Sequence, residues 1–232
     1  SANASRIGVS SLNEIRRVDG VAAVGPIGAA SVALVAPVEE GQEALNVALI
    51  GVEPGQPGEP PVFEGRRLGS RRANEAVLDR NVALRTGLKV GDTLTIKSIQ
   101  DTDEQFYDLK VVGISDGRQY NLQPAVIVPF RTWDELRPQA TIGGSNTAEL
   151  VANVVAVQLE NPADWQAMAA KIESEVRDVE VVDRVTAYQA TPGYSAQQST
   201  LDTQRYFALL IGILVIGGFF QILTLQKVAQ IG

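Results

Sequence analysis

The run from Phe207 to Leu225, FALLIGILVIGGFFQILTL, constrains this chain more than any other stretch. It carries no charge and one strongly polar residue, Gln221, between Arg205 and Lys227. At about 1.5 Å rise per residue it reaches roughly 28 Å as a helix, close to the hydrocarbon thickness of a bilayer. A helix also satisfies its own backbone hydrogen bonds, which lipid cannot do. The run is long for the core helix of a soluble protein. It also stands far from the N-terminus, where a signal peptide with its shorter apolar core would lie. The reading is a membrane span preceded by about 200 residues of globular sequence.

The remaining composition describes that globular part. With 45% hydrophobic and 20% charged residues and a mean hydropathy of +0.03, the chain outside the span can bury a core and stay soluble. A net charge of −7 argues against a broad surface for phosphates, so no nucleic acid partner is expected. Histidine and cysteine are both absent. A disulfide framework is excluded, and cysteine usage does not reveal the redox compartment.

Two loop-like stretches divide the globular part: PGQPGEPP from Pro54 to Pro61, and RPQATIGGSNTA from Arg137 to Ala148. They bracket a middle segment, 53–149, which is expected to be a β-rich subdomain inserted in a domain built from 1–52 and 150–193. Residues 194–232 would form a stalk and the span.

In the first flank, Ser11 and Glu14 have the spacing of a capping box, with Leu12, Ile15 and Val18 at helical spacing behind it. Two β-prone runs follow, VAAV with SVALV and then NVALIGV. In the second flank NVVAVQL reads as a strand. Asn161 and Pro162 then suit the start of a helix with Trp165, Met168, Ala169, Ile172 and Val176 on one face, and Val179 to Val182 returns as a strand. These elements predict a two-layer α/β subdomain. In the middle segment EAVLD reads as a strand and NVALRT as a short helix ended by Gly87. DTLTIKSI and FYDLKVVGI read as a hairpin around the polar turn QDTDEQ, and AVIVP as a further strand. Thr132 and Glu135 have capping-box spacing for another short helix. The fold class is therefore α+β.

The pattern FEGRRLGSRRANEAVLDRNVALRTGLKVGDTLTI, followed by YDLKVVGISD and AVIVPFRTWDEL, resembles the extracytoplasmic core domain of MacB-type, FtsX-like ABC transporter permeases. The end of the span, LTLQKVAQIG, resembles the second transmembrane helix of that family entering the cytoplasm, with Lys227 and Gln230 where the family often has Arg and Glu. The resemblance implies an extracytoplasmic globular domain in the cell membrane, a cytoplasmic C-terminus and a permease homodimer or heterodimer. It also implies a separate ABC ATPase subunit as partner, and motion passed to the outer domain to export a substrate or activate an extracytoplasmic partner protein. Substrate identity does not follow.

An enzyme is the sharpest rival. Without histidine or cysteine, Ser-His-Asp and Cys-His systems and the common zinc sites are gone. No serine has a lysine three residues on, so SxxK does not occur. Carboxylate chemistry remains, with Asp178, Glu180 and Asp183 as the acids that an anchored hydrolase would use, although solvated surface is the plainer reading. Asp101, Asp103 and Asp108 raise calcium but lack the EF-hand glycine and terminal glutamate. No cofactor or metal is expected.

Arg66, Arg67, Arg71 and Arg72 form the one dense basic cluster and could meet lipid headgroups or an anionic partner; a structural or simply exposed role is the alternative. In the span, Ala208 and Gly212 have small-xxx-small spacing and Gly217 and Gly218 thin the helix further, which suits packing against a second span. Gln221 would prefer a partner within a bundle over lipid. One cation at each end leaves the positive-inside rule undecided. Pro192 and Gly193 break the chain, and no breaker follows up to Arg205, so a polar stalk through Thr200 is expected to run unbroken into the span. A single-span anchored sensor or binding module is the alternative to the permease. Two further spans beyond Gly232 would separate them.

Overall fold

The structure, a computed structural model, describes residues 7–36, 44–100, 103–116, 123–138, 150–189 and 194–231. Asp101, the larger part of the polar loop after Arg137, and the break at Pro192 and Gly193 lie outside them. The chain forms two units, residues 1–187 and 188–232.

The first unit is organised by two long strands. Strand β2 (Val21–Ala36) follows a short strand β1 (Ile7–Gly8) and helix α1 (Val9–Arg17). The other long strand, β7 (Asp103–Ser115), follows β3 (Leu45–Val52), β4 (Val62–Gly65), β5 (Glu75–Asp79), α2 (Arg80–Thr86) and β6 (Thr93–Gln100). After it come β8 (Ala125–Pro129), α3 (Phe130–Leu136), β9 (Val151–Ala152), β10 (Val154–Leu159), α4 (Trp165–Glu175) and α5 (Arg184–Gln189).

The pairings close a ring: β2 with β3, β3 with β8, β8 with β5, β5 with β7, β7 with β6, and β6 back onto β2. Closure removes free strand edges from this part of the sheet. Alternate residues of every ring strand meet in one core: Val32 and Leu34, Val47 and Leu49, Val126 and Val128, Ala76 and Leu78, Leu109 and Val111, Leu94 and Ile96. That alternation is the period of two a strand imposes. From α3, Phe130, Trp133 and Leu136 join this core, as Val82 does from α2.

The long strands carry the ring outward. Up to Ile27, β2 pairs with β10; from Ile27 to Leu34 it pairs with β3. Beside its first half, α1 and α4 pack Leu12, Ile15, Val18, Ile172 and Val176 around Val24 in a separate core. One sheet thus holds strands from 1–52, 53–149 and 150–193 together, and β3 with the second half of β2 packs in the ring rather than with the helices.

Several local expectations are corrected. Ser11 lies inside α1, whose N-cap is Gly8 with no side-chain cap bond, so the Ser11/Glu14 capping box does not form. Thr132 is likewise no cap. Its hydroxyl donates to the Ala73 carbonyl (2.9 Å) and accepts from the Ala73 N–H (3.2 Å), tying α3 to the chain before β5. VAAV with SVALV forms a single strand, as the sequence predicts. Val179 to Val182 is not a strand: Asp178 turns the backbone into the left-handed region (φ 59°) and the Glu173 carboxylate takes the Val181 N–H at 2.7 Å, in place of a ladder partner. Trp165 is the first residue of α4 and stands exposed, while Ile172 and Val176 are buried. Asn161 caps the turn Pro162–Asp164 through Ala163 N–H, and Gly87 ends α2 at φ 72°, as the sequence predicts.

The second unit contains helix α6 (Tyr194–Ile231), 38 residues without interruption. At 1.5 Å per residue it is about 57 Å long. Within it, Thr203–Gln221 is long and apolar enough to cross a membrane, and none of that stretch is buried.

Candidate functional site

The four arginines of the basic cluster sit on the loop between β4 and β5, and the fold gives each a carboxylate. Arg66 forms a two-pronged pair with Glu75 at the start of β5 (2.5 and 3.0 Å). Arg67 lies 3.9 Å from Glu59, Arg71 pairs with Glu53 just after β3, and Arg72 is 2.8 Å from Glu135 of α3. The loop is therefore tacked to four separate places in the first unit. The Arg66 guanidinium, through its hydrogen bonds, and the Gly69 N–H hold the Glu75 carboxyl below its ordinary range; Glu75 in turn raises Arg66. All four arginine side chains keep more than half of their surface in solvent, so these pairs are screened surface contacts.

Arg71 has a second relationship that its sequence neighbours lack. It lines a shallow groove of about 190 Å³ together with Arg16 of α1 and Arg131 of α3. Leu12, Phe130 and Leu150 line the same groove, and Glu53 is its one carboxylate. Phe130 is held by stacking on Trp133, with ring centroids 5.4 Å apart. Sequence reasoning missed Arg16 and Arg131. The available signal was an arginine beside an apolar anchor, Ile15 before Arg16 and Phe130 before Arg131, but only the fold places the two pairs together.

The three acids that a hydrolase would use have separate settings. Asp183 caps α5, accepting from the Val185 and Thr186 N–H groups (3.3 and 3.0 Å), and hydrogen bonding to Thr186 lowers its pKa. Glu180 is exposed and Asp178 occupies a turn. In the hairpin Asp108 accepts from the Thr95 hydroxyl at 2.7 Å, and Asp103 is exposed. Among the described residues no group of three potential ligands could hold a metal ion. Among the described residues the most buried carboxylate, Asp79, is structural. It accepts from the Asn81 and Val82 N–H groups at the start of α2 and from the Ala125 N–H at 3.1 Å, joining β5, α2 and β8.

In the second unit Thr200 lies near the start of α6. Ala208, Gly212, Gly217, Gly218 and Gln221 lie further along it within the apolar stretch. A side chain added at any of these three glycines would meet nothing within 4 Å.

The first unit is a mixed α/β domain with a closed strand ring, and the helix of the second unit holds a stretch long and apolar enough to cross a membrane. The chain belongs to the MacB-like periplasmic core domain family, which matches residues 2–175. The fold is similar to the extracellular domain of the noncanonic ABC-type transporter YknZ from Gram-positive bacteria. The TM-score is 0.54 at 16% identity, covering 76% of this chain and 86% of that one. The periplasmic region of MacB from Actinobacillus actinomycetemcomitans matches at a TM-score of 0.48 and 15% identity, over 73% of this chain and 74% of that one. A putative hemin transport system permease protein, HrtB, of Staphylococcus haemolyticus (strain JCSC1435) is 23% identical over 145 residues, 62% of this chain. The chain covers 35% of that relative's length.

Proposed function

We propose that this chain is the extracytoplasmic domain and second span of a permease subunit that passes ATP-driven motion across the membrane and does no chemistry itself. In this reading a separate ABC ATPase subunit binds the cytoplasmic side, where the C-terminus lies. The permease acts as a homodimer or heterodimer, and the globular part exports a substrate or activates an extracytoplasmic partner protein. One observation carries it: α6 runs unbroken from the polar residues around Thr200 into the apolar stretch Thr203–Gln221. A bilayer core needs about 20 helical residues, so a helix of this length extends well past it. Every turn of a continuous helix is locked by its own hydrogen bonds, so a push or rotation at one end is delivered at the other.

Packing against a neighbouring span falls to Ala208, Gly212, Gly217 and Gly218, which permit close backbone approach, and to Gln221, which gains a polar partner there. The relative's hemin is one candidate cargo class, and the small groove of the first unit does not select it. Inserting two glycines beside Thr200 in the full permease, reconstituted with its ATPase, tests the reading. Hydrolysis should persist while export or partner activation is lost, and retention of both in the glycine variant counts against mechanical transmission.

A further inference from the structure

The groove bounded by α1, the arginine loop and α3 concentrates positive charge in an acidic chain. Three guanidinium groups line it against the single carboxylate of Glu53, in a protein of net charge −7. Glu53 is already committed to Arg71. The Arg16 and Arg131 side chains have no hydrogen bond or ion pair among the described residues. Leu12 and Phe130, both nearly buried, form an apolar floor between these cations.

We propose that this groove is a docking site for a partner protein, receiving an acidic side chain flanked by an apolar one. Size decides between occupants. About 190 Å³ falls below the roughly 300–1,000 Å³ of sites that engulf a small-molecule ligand. It is enough for one or two side chains inserted from an opposing protein surface. The chemistry agrees: a guanidinium presents a planar fork that fits a carboxylate through two parallel hydrogen bonds, and the floor rewards burial of an adjoining methyl or ring. Phosphate would use the arginines and leave Leu12 and Phe130 without a role. The same groove would serve a permease or an anchored binding module, so the proposal goes beyond the transport reading and its test does not depend on ATP hydrolysis.

The test uses the full chain in neutral phosphatidylcholine nanodiscs, labelled at arginine, with the side-chain N–H signals of Arg16 and Arg131 as the readout. The probe is the blocked peptide Leu-Glu-Leu-Glu-Leu, with Leu-Gln-Leu-Gln-Leu, inorganic phosphate and phosphatidylglycerol vesicles as competitors. The acidic peptide is expected to move both signals, and the double variant R16Q/R131Q, which breaks no pair and should keep the wild-type melting temperature, to bind it tenfold or more weakly. No shift at millimolar acidic peptide overturns the proposal. So does equal binding of the glutamine peptide, or an equal response to phosphate or to the anionic vesicles.

Discussion

The indole of Trp133 rests on the backbone of Gly51, where an added Cβ would stand 2.4 Å from the Trp133 Cβ. Gly51 is paired across the sheet with Gly28, and a Cβ there would also come within 2.4 Å of the Trp133 ring. Two opposed glycines therefore open a slot between β2 and β3 into which α3 sets its largest side chain. The slot positions Phe130, which stacks on Trp133, and with it the floor of the arginine groove.

Filling that slot should destabilise the first unit. Overpacking of a tight core costs about 1–3 kcal/mol, and neither the strand backbone nor a stacked indole can retreat cheaply. Gly51→Ala is expected to lower the denaturation midpoint by an amount in that range. Trp133→Ala should cost more, about 3–5 kcal/mol. Denaturant melts of the full chain in detergent, followed by far-UV circular dichroism, measure both; a Gly51→Ala protein as stable as wild type would show that the slot has slack.

Asp79 should prove costly to lose for a different reason. Its carboxylate satisfies three backbone N–H groups from two elements, and the residue is 1% exposed. Each buried donor left without a partner costs about 1–3 kcal/mol. Asp79→Ala is therefore expected to destabilise by at least about 2 kcal/mol, with Asp79→Asn retaining part of the stability through its amide oxygen. Hydrogen exchange gives a second reading: the amides of Val82 and Ala125 should lose protection together in Asp79→Ala, and protection lost at only one of them would contradict the bridge.

The Arg66–Glu75 pair predicts a pH dependence with a definite sign. Glu75 has a folded pKa depressed below its ordinary 4.5 by hydrogen bonds from Arg66 and Gly69. The pair's contribution is then fully present above the unfolded value and is lost as pH falls through the folded one. Melting temperature in wild type should fall more steeply than in Glu75→Gln on going from neutral pH to pH values below the ordinary carboxylate range. Both curves should run parallel above it. High salt should narrow the difference, because Arg66 is mostly in solvent. A wild-type curve parallel to Glu75→Gln throughout acid titration would remove the pair from the acid-sensitive contacts.

What was legible in the sequence was periodicity. Leu12, Ile15 and Val18 on α1, the alternation in β6 and β7, the α2 stop at Gly87 and the unbroken α6 all follow from local spacing that needs no partner. Two kinds of feature were illegible. Side-chain hydrogen bonds go to whichever backbone group the fold brings close, so Thr132 serves Ala73 rather than its own helix end. Where a strand changes partner is hidden too: β2 runs through Gly25 and Pro26 and leaves β10 for β3 at Ile27. At Pro26 the strand has a neighbour on one side only, so a missing N–H is tolerated there. The groove lay beyond reach for the same reason, since Arg16, Arg71 and Arg131 are brought together by the way the chain folds back.

Ring closure bears on how the first unit unfolds. Residues 53–149 are inserted in chain order, but Val32, Leu34, Val47 and Leu49 from outside that segment share its core. A strand that crosses from the helical layer into the ring couples the two. Native-state hydrogen exchange should therefore find Val24, Leu49 and Leu94 opening with the same free energy and denaturant slope. A markedly lower opening energy at Val24 alone would instead make the helical layer a folding unit apart from the ring.

The last prediction concerns the acids an enzyme would need. Asp183 is engaged in capping α5, Glu180 stands in solvent, and Asp178 serves a turn whose left-handed backbone suits an acidic residue. General acid and base work requires two carboxyl groups facing one substrate, with environments that push their pKa values apart. Asp183 is lowered by its cap bonds, which is the wrong direction for a general acid. The triple variant Asp178→Ala, Glu180→Ala, Asp183→Ala is expected to fray α5 slightly, and to leave transport or partner activation within about twofold of wild type, the scale of a surface change of a few tenths of a kcal/mol. Circular dichroism and a melt establish that the variant is folded before activity is compared. A folded triple variant that has lost activity, paired with hydrolysis of a glycoside by the wild-type chain without its ATPase, would put the anchored hydrolase ahead of the permease reading.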